Sequence, residues 1–490
     1  MEYHQDNTLE LTLHALSSDG RAIGRSKEGQ IIFVHGALPG QRILARMTSI
    51  KKRMAEAEVS AVLSPAPEER TAPCRHATQC GGCPWQCLPY SHQLKWKNRI
   101  VYDALTRLGK INIPAEIFRP ILSPGEEAEW GYRNKMEFAF QSGPDGTLLL
   151  GLRARFSHSV IDATHCRLQT ERTMAVLDAI RTLCRKYHLN AANTPTVRGQ
   201  PTASIRKNSG NNGILRFAVI REPRKGGCLA EIITLPSMQN NAAILSIGRE
   251  LMAGGLGVTG FVHSTRADLS AVAYGEATVA SLGETRLSET LRLQGRPVTF
   301  TLDHNSFFQV NTGAAELLYN TAADLASELL FPSLHSWGEH CWDIYCGIGG
   351  LALTMGPYFK HVSGLENVEP AANLAELNAL QEHGSTTYSF EASDASHLER
   401  WFLKKPLPDL LVTDPPRSGM DQKTVQAILR HRPPNLILVS CNPATLARDL
   451  SLLSPAYRIL AVQPVDLFPQ TPHVETICLL SKYSVTQSVF

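Results

Sequence analysis

The sequence predicts a multidomain α/β protein, and three changes of pattern along the chain carry this prediction. Short alternating apolar runs, broken by glycine turns, fill residues 1–63 and indicate a small β-barrel. Residues 64–290 mix strand-like and helix-like segments, which is typical of an α+β domain. Residues 291–490 alternate apolar strands with helices, which predicts a doubly wound, Rossmann-like parallel sheet.

Composition sets the broad class of the protein. Of its 490 residues, 43% are hydrophobic and 19% are charged, as in soluble globular proteins. No run of 18 apolar residues occurs, and the polar N-terminus does not resemble a secretory signal. We therefore expect a cytoplasmic protein without a membrane span, and a monomer by default. The net charge is only +3, so a nucleic-acid-binding surface would have to be a local patch.

Residues 8–15, 31–34, 41–47 and 56–63 read as strands of a five-stranded, OB-like barrel, a shape that often binds RNA. Basic side chains crowd one region of it with no acid among them. They are Arg42, Arg46, Lys51, Lys52 and Arg53. Such a patch fits contacts with phosphates and, equally well, an ordinary solvated face.

A cysteine cluster, Cys74-x5-Cys80-x2-Cys83, follows the barrel. Gly81 and Gly82 allow the backbone to wrap tightly, and a proline directly after a cysteine is typical of ferredoxin loops. Three thiolates need a fourth ligand, either the nearby Cys87 or the distant Cys166. The alternative is a zinc knuckle completed by Cys87 or His76. The spacing differs from the CxxxCxxC of radical enzymes, so any iron-sulfur cluster is expected to be structural.

Residues 93–109 predict an amphipathic helix that ends at a glycine and packs on the C-terminal domain. Its apolar stripe comprises Leu94, Val101, Leu105 and Leu108, whereas Lys97 lies mostly off the stripe.

Four acidic residues lie at predicted strand ends in the C-terminal domain, and the first of them stands just before a glycine turn. They are Asp343, Glu366, Asp394 and Asp414. Any one of them alone is more often a helix cap than a ligand. In series, after the turn at Gly347–Gly350, they favour a nucleoside cofactor, with Glu366 spaced for ribose hydroxyls. The third glycine of the dinucleotide fingerprint is missing, so S-adenosylmethionine fits better than NAD.

Two further residues predict covalent chemistry. Cys441 follows the buried strand 436–439 and precedes a helix, so the helix dipole is expected to lower the pKa of its thiol. A buried structural cysteine is the commoner alternative. Glu475 opens the apolar strand 476–480, where burial would raise the pKa of its carboxyl into the acid/base range. An edge carboxylate in water, or one paired with an arginine, fits this stretch equally well.

Together these motifs resemble the RNA uracil-C5 methyltransferase family. The resemblance is greatest to the branch with an N-terminal TRAM barrel and a [4Fe-4S] cluster, which acts on 23S ribosomal RNA. It spans essentially the whole chain and rests on seven motifs. They are Cys74, Cys80, Cys83 and Cys166; Tyr132–Lys135; Asp303–Asn311; Asp343–Gly350; Asp414–Gly419; Ser440–Pro443; and His473–Glu475.

The resemblance implies a role for each candidate residue. Cys74, Cys80, Cys83 and Cys166 would bind the cluster and leave Cys87 spare. S-adenosylmethionine would be held by Gln309, Tyr345, Glu366 and Asp414, with Gly350 and Asp394 lining its site. Cys441 would be the nucleophile and Glu475 the base, with Asp414 near the thiol or the edge of the target base.

The sequence also bears on several alternative functions. An amino-group methyltransferase would carry an aromatic residue after Asp414-Pro-Pro, where this chain has Arg417. A cytosine-C5 enzyme also uses a cysteine, but the closing His473-Val-Glu475 is less expected there. Methylation of a transfer-RNA uridine stays open, as does a catalytically silent RNA-binding or RNA-folding protein. An iron-sulfur electron carrier would leave the C-terminal sheet unexplained.

Overall fold

The computed structural model describes residues 8–51, 54–155, 157–192, 213–268, 270–331 and 338–483. These residues form a closed barrel, a seven-stranded mixed sheet, a two-stranded hairpin and a second seven-stranded sheet. None of the helices within these ranges has both the length and the apolar character that crossing a bilayer requires.

Five short strands build the N-terminal barrel: β1 (Thr8–Leu16), β2 (Ala22–Arg25), β3 (Ile31–His35), β4 (Arg42–Ile50) and β5 (Met54–Ser64). They pair in the order β1-β2-β3-β5-β4 and close on themselves, which confirms the predicted barrel. The sequence predicts four of these five strands. The fifth, β2, has only four residues between two glycine turns, so its alternation is too short to stand out.

The basic patch of the barrel is partly neutralised by acids on neighbouring strands. Arg42 pairs with Glu10 on β1 at 3.4 Å, and Arg46 pairs with Glu58 on β5 at 2.9 Å. Strand pairing places these carboxylates, which are distant in sequence, beside two of the basic side chains. Lys52 and Arg53 lie outside the described residues.

The helix after the cysteine cluster, α1 (Tyr90–Asp103), begins three residues before the predicted start. It continues into one π-helical turn, Ala104–Leu108, and stops at Gly109 as predicted. Its side chains pack in two directions. Ile100 joins the core of the barrel, whereas Val101 and Leu105 join a core of the C-terminal domain.

This double packing corrects two details of the predicted stripe. Lys97 was placed on a polar face, but its side chain is fully buried and bonded to Asp466. Leu108 was placed on the apolar stripe, but it is 66% exposed. Because α1 is covered by one domain on each side, its buried surface is wider than one amphipathic stripe and can include a charged residue that finds a partner.

The central domain is built on a sheet of strands β6 (Lys135–Ser142), β7 (Leu148–Arg153), β8 (Val160–Asp162), β9 (Leu215–Arg221), β10 (Cys228–Thr234), β11 (Val258–Thr265) and β12 (Ala277–Gly283). Their spatial order is β12-β11-β10-β9-β6-β7-β8. Helices α2 (Glu171–Lys186) and α3 (Asn241–Ala253) share an apolar core with this sheet. A hairpin, β13 (Arg286–Leu293) and β14 (Arg296–Asp303), leads to the C-terminal domain.

The C-terminal domain alternates helices and strands after the entry helix α4 (Thr312–Leu329). Its strands are β15 (Gly338–Ile344), β16 (Phe359–Glu366), β17 (Thr387–Ala392), β18 (Leu410–Thr413), β19 (Asn435–Ser440), β20 (Tyr457–Val465) and β21 (Glu475–Lys482). Its further helices are α5 (Gly350–Met355), α6 (Glu369–Ala379), α7 (Leu398–Lys404), α8 (Gln422–His431) and α9 (Pro443–Leu453).

These strands form the predicted doubly wound sheet, in the order β17-β16-β15-β18-β19-β21-β20. Strands β15 to β19 are parallel, and β21 runs antiparallel between β19 and β20. The chain winds outward from β15 to β16 on one side and to β18 on the other. Open α/β sheets bind their ligands at the carboxyl ends of the strands at such a switch point.

Candidate active site

A cleft of about 810 Å³ opens at the carboxyl ends of β15, β16, β18 and β19. The structure brings all eight of the predicted cofactor-binding and catalytic residues to its walls. They are Gln309, Tyr345, Gly350, Glu366, Asp394, Asp414, Cys441 and Glu475. The parallel strands β15 to β19 supply side chains at or just after their carboxyl ends. The antiparallel strand β21 adds Glu475, its first residue.

The glycine turn after β15 has the tight backbone that its sequence predicts. Gly347 and Gly349 have φ of +54° and +96°, and Tyr345 has φ of +69°, in a region that side chains other than glycine rarely adopt. Asp343 at the end of β15 is buried and accepts a hydrogen bond from the Ala352 amide at 2.8 Å. This bond fixes the start of α5 against the strand.

Two of the predicted cofactor ligands also bind backbone. Glu366 accepts bonds from the amides of Gly347 at 3.0 Å and Val368 at 2.9 Å, one with each carboxylate oxygen. Asp394 caps the turn after β17 by accepting from the Ser396 amide at 2.9 Å. The helix-cap alternative thus applies to Asp394. Each carboxylate keeps free lone pairs toward the cleft, since one oxygen can accept more than one bond.

Cys441 lies directly after β19, and Asn442 caps α9 by accepting from the Ala444 amide at 3.1 Å. The Asn442 side chain also donates to the Arg417 carbonyl at 3.0 Å. The Arg417 guanidinium lies 3.3 Å from Nδ1 of His473, two residues before Glu475. Hydrogen bonds therefore join the loops that carry Asp414, Cys441 and Glu475.

The prediction of a lowered thiol pKa is wrong. Burial, together with the carboxyls of Glu475 and Asp414, raises the pKa of Cys441 to about 12, and the opposing effect of Arg417 is smaller. The dipole of α9 does stabilise a thiolate, but a helix end acts only within about one turn and cannot offset two nearby acids. In the protein without ligands, Cys441 is a neutral thiol at neutral pH.

The two acids beside the thiol are themselves shifted. Burial raises the pKa of Asp414 to about 7. Burial, and after it the charge of Asp414, raises the pKa of Glu475 well above the usual carboxyl value. Glu475 is only 3% exposed. Of the three groups, Asp414 has its pKa near neutral pH, so its carboxyl is suited to take up or release a proton there.

A second cavity, of about 670 Å³, lies where the barrel, the central domain and the loop before Glu475 meet. Cys74, Cys80, Cys83 and Cys166 all line it, whereas Cys87 packs against the core of the barrel. Burial raises the pKa of Cys83, and the thiols of Cys166, Cys80 and Cys74 raise that pKa further. The four sulfur atoms thus share one site.

The described side chains of this cavity do not form a site for a single metal ion. Within the described ranges, no three His, Cys, Asp or Glu side chains are arranged to bind one metal ion. A single zinc ion needs its sulfur ligands about 2.3 Å from one point, whereas an iron-sulfur cluster is a larger body that four thiolates surround. Of the two candidate ligands for a zinc knuckle, Cys87 is not on the cavity wall, whereas His76 does line the cavity.

Sequence reasoning missed two features close to these sites. Tyr319 of α4 reaches the cleft beside Gly350, and Asp466 holds the buried Lys97. No local pattern marks either residue. Tyr319 lies within an apolar helix, and Lys97 is 369 positions away from its partner Asp466 in the sequence.

The fold and the cleft define a Rossmann-like methyltransferase domain, joined to an N-terminal barrel of a type that binds RNA. Residues 262–483 match the family model of tRNA (uracil-5-)-methyltransferases, and residues 6–60 match the TRAM domain. An RNA methyltransferase of Nitratidesulfovibrio vulgaris is 41% identical over 487 residues, 98% of this chain and 97% of its own. One from Geobacter sulfurreducens is 34% identical, over 97% of this chain and 90% of its own.

A solved structure shares the whole architecture. The tRNA (uracil-54, C5)-methyltransferase of Pyrococcus abyssi, in complex with S-adenosyl-L-homocysteine, superimposes with a TM-score of 0.71. It covers 96% of this chain and 100% of its own, at 23% identity, a likeness that establishes the fold. The chain therefore belongs to the (uracil-5-)-methyltransferase family of RNA methyltransferases, which confirms the family and the TRAM barrel expected from the sequence.

Proposed function

We propose that this protein transfers a methyl group from S-adenosylmethionine to C5 of a uridine in RNA. One observation carries the proposal: Cys441, Asp414 and Glu475 line the same cleft as the glycine turn and Glu366. A cysteine and carboxyls beside a nucleoside-binding turn are the groups that methylation of a pyrimidine carbon needs.

The cofactor half of the cleft fits S-adenosylmethionine. Glu366 has free lone pairs for the ribose hydroxyls, Asp394 can accept from the adenine edge, and Tyr345 offers an aromatic wall. Gln309 is 5% exposed and lines the same space. When bound, S-adenosylmethionine supplies an electrophilic methyl group on a positively charged sulfur.

Cys441 and Asp414 would activate the uracil ring. The sulfur of Cys441 bonds to C6, and the electron pair of the C5–C6 double bond moves toward O4 to give an enolate. The proton of the thiol has to leave in this step. We assign it to Asp414, because a carboxyl with a pKa of about 7 can take up a proton at neutral pH. C5 of the enolate would then bond to the methyl carbon as the bond from that carbon to the sulfonium sulfur breaks, with S-adenosylhomocysteine as the leaving group.

Glu475 would complete the reaction as the base. It removes the proton from C5, the electrons of that C–H bond restore the C5–C6 double bond, and the bond between Cys441 and C6 breaks. Glu475 must be a carboxylate for this step. Its raised pKa favours the acid form in the empty cleft, and a positive charge bound there favours the carboxylate.

The RNA substrate we propose is 23S ribosomal RNA, modified at one specific uridine in the cytoplasm by a monomeric enzyme. Support comes from the motifs shared with that branch along the whole chain, including the cysteine set and the TRAM barrel. A transfer-RNA uridine is the second candidate. It is favoured by the family model and by the solved Pyrococcus abyssi enzyme, both named for tRNA. The target base has to leave its stack to enter the cleft.

We further propose that Cys74, Cys80, Cys83 and Cys166 bind a [4Fe-4S] cluster with a structural role. Their common cavity supports this assignment. Protein purified without oxygen should contain iron and sulfide, and Cys166→Ala should lose most of both. Cys87→Ala is the matched control, and we expect it to retain the cluster. Equal iron content in Cys166→Ala and wild type would contradict the ligand set.

The main test is tritium release from RNA that carries 5-tritiated uridine, in the presence of S-adenosylmethionine. Wild type should release tritium, Cys441→Ala should not, and Cys184→Ala should match wild type because Cys184 lines neither cavity. Transcripts of 23S and transfer-RNA fragments then separate the two substrates. Methyl transfer without tritium release would point to a cytosine or amino-group target, and RNA binding without transfer to a silent binding protein.

A further inference from the structure

The smallest residue of the cofactor turn, Gly350, lies against a tyrosine of another helix. A Cβ added at Gly350 would lie 2.7 Å from the hydroxyl oxygen of Tyr319 and 2.8 Å from its Cζ. Such separations are shorter than any normal contact with a Cβ. The end of the tyrosine therefore occupies the space that a side chain at position 350 would need, and the glycine admits the hydroxyl to the cleft.

The hydroxyl of Tyr319 reaches the cleft without a hydrogen-bond partner among the described residues. Tyr319 is 7% exposed, and Phe308 and Gln309 line the same cleft. The side-chain amide of Gln309, 5% exposed, is likewise unpartnered within the described ranges. The polar atoms of both side chains are accessible from the cleft and are not engaged by other described side chains, so both are available to a polar ligand atom there.

The charges of the cleft limit which groups of a ligand can bind there. Seven carboxyls line the cleft: Asp303, Asp343, Glu366, Asp394, Asp414, Asp421 and Glu475. Arg417 is the one lysine or arginine among the described lining residues, and its guanidinium is bonded to His473 near the catalytic end. An anionic group of a ligand would therefore depend on neutral donors. Burial and the nearby Asp414, Asp343 and Glu475 raise the pKa of Tyr319, so its hydroxyl stays a donor.

We propose that the Tyr319 hydroxyl donates a hydrogen bond to the α-carboxylate of the bound methyl donor, and that Gly350 lacks a side chain to make room for it. The inference rests on the proposed function, since it assumes an S-adenosyl amino acid in the cleft. Tyr319 is then a binding residue that selects for the amino-acid end of the ligand. Glu366, Asp394 and Tyr345 would bind the ribose and the adenine.

Calorimetric titration of the holoprotein tests the assignment with two ligands. S-adenosylhomocysteine carries the α-carboxylate, and its decarboxylated analogue, S-adenosyl-3-thiopropylamine, keeps the nucleoside, the thioether and the amine without it. Tyr319→Phe should weaken S-adenosylhomocysteine about tenfold, as expected for loss of one hydrogen bond to a charged group. It should leave the decarboxylated analogue within about twofold of wild type. Tyr388→Phe, a tyrosine of β17 outside the cleft, is the matched control.

Gly350→Ala provides a second, independent variant. Its methyl group has to displace the Tyr319 hydroxyl, so it should also weaken S-adenosylhomocysteine more than the decarboxylated analogue. Equal weakening of both ligands by Tyr319→Phe, or weakening of neither, overturns the inference and leaves the proposed function standing. If wild type binds no S-adenosylhomocysteine at all, the proposed function fails, and this inference fails with it.

Discussion

The ammonium group of Lys97 lies 2.5 Å from a carboxylate oxygen of Asp466, and both side chains are fully buried. Lys97 also donates to the Phe468 carbonyl at 2.9 Å, and the Tyr90 hydroxyl donates to the other Asp466 oxygen at 3.0 Å. The pair thus joins α1 to the loop that leads into Glu475. Burial lowers the pKa of Lys97, and the charge of Asp466 opposes that effect.

A neighbouring contact strengthens the same junction. Gln470 has φ of +71° and exchanges hydrogen bonds with the Gln93 side chain, at 2.9 Å and 2.8 Å. Its carbonyl accepts from the Trp85 amide at 3.0 Å, two residues after Cys83. The segment that carries three of the clustered cysteines is therefore bonded directly to the loop before Glu475. A change in the cysteine segment should therefore alter the position of the loop before Glu475, and a change in that loop should alter the cysteine segment.

We expect Lys97→Met to lower the free energy of unfolding by about 3–5 kcal/mol, because it leaves the buried Asp466 carboxylate unpaired. The double variant Lys97→Met/Asp466→Asn should recover part of this loss, since no net charge remains buried. Denaturant unfolding measures both. Lys95→Met, on the exposed side of the same helix, is the control and should change stability little. A double variant less stable than Lys97→Met would contradict a paired, buried charge.

The reactivity of Cys441 should depend on Asp414 and on pH. Above pH 7 Asp414 is ionised, and its charge raises the pKa of the thiol. Asp414→Asn should therefore speed alkylation of Cys441 by iodoacetamide at pH 8.5, about tenfold for each unit by which the thiol pKa falls. At pH 6 Asp414 is already protonated, so the two rates should converge. Peptide mass spectrometry of the alkylated residue provides the rates, and an unchanged ratio from pH 6 to 8.5 would rule out this coupling.

Binding of the methyl donor should release protons. The sulfonium of S-adenosylmethionine is positive, so it should lower the pKa of Asp414 from about 7, and the carboxyl should lose its proton at pH 7. Calorimetry in two buffers of different ionisation enthalpy measures the number released. S-adenosylhomocysteine, which lacks that charge, should release fewer, and Asp414→Asn should remove the difference. At pH 9 Asp414 is already ionised, so its contribution should vanish; release that persists there in full would implicate another group.

Glu475→Gln should trap the enzyme on its RNA. Without a base at this position the C5 proton stays in place, and the bond between Cys441 and C6 cannot break. A methylated RNA–protein adduct that survives denaturing electrophoresis should accumulate in this variant. In wild type the same adduct should break down rapidly to methylated RNA and free enzyme. Adding Cys441→Ala to the same protein should abolish the adduct. An adduct in the double variant, or none in Glu475→Gln with turnover retained, would contradict the assigned roles.

Local sequence patterns predicted most of the architecture. Alternation with period two identified the barrel strands, and apolar runs followed by polar turns identified β15, β18 and β19, because burial on two faces leaves only apolar residues in a strand. The strand-end positions of Asp343, Glu366, Asp414 and Cys441 followed from the same pattern, since parallel strands end on one edge of the sheet. The motifs that resemble the family then attached expected roles to those positions.

Protonation and long-range partners could not be predicted in this way. The pKa of Cys441 depends on two acids that β18 and β21 bring beside it, and the dipole of the following helix is only the local part of that balance. Lys97 reads as a surface residue until Asp466, 369 positions later, is placed against it. Tyr319 reads as part of an apolar helix until Gly350 leaves room for its hydroxyl.

The sequence by itself determined the three-part order of the chain, its family and the set of chemically reactive side chains, because each is written in neighbouring residues. The tertiary structure alone decided which of those side chains share a site, how they are charged and what the buried polar groups face. Electrostatic interactions and desolvation depend on distance in space and on burial, and neither is fixed by proximity along the chain.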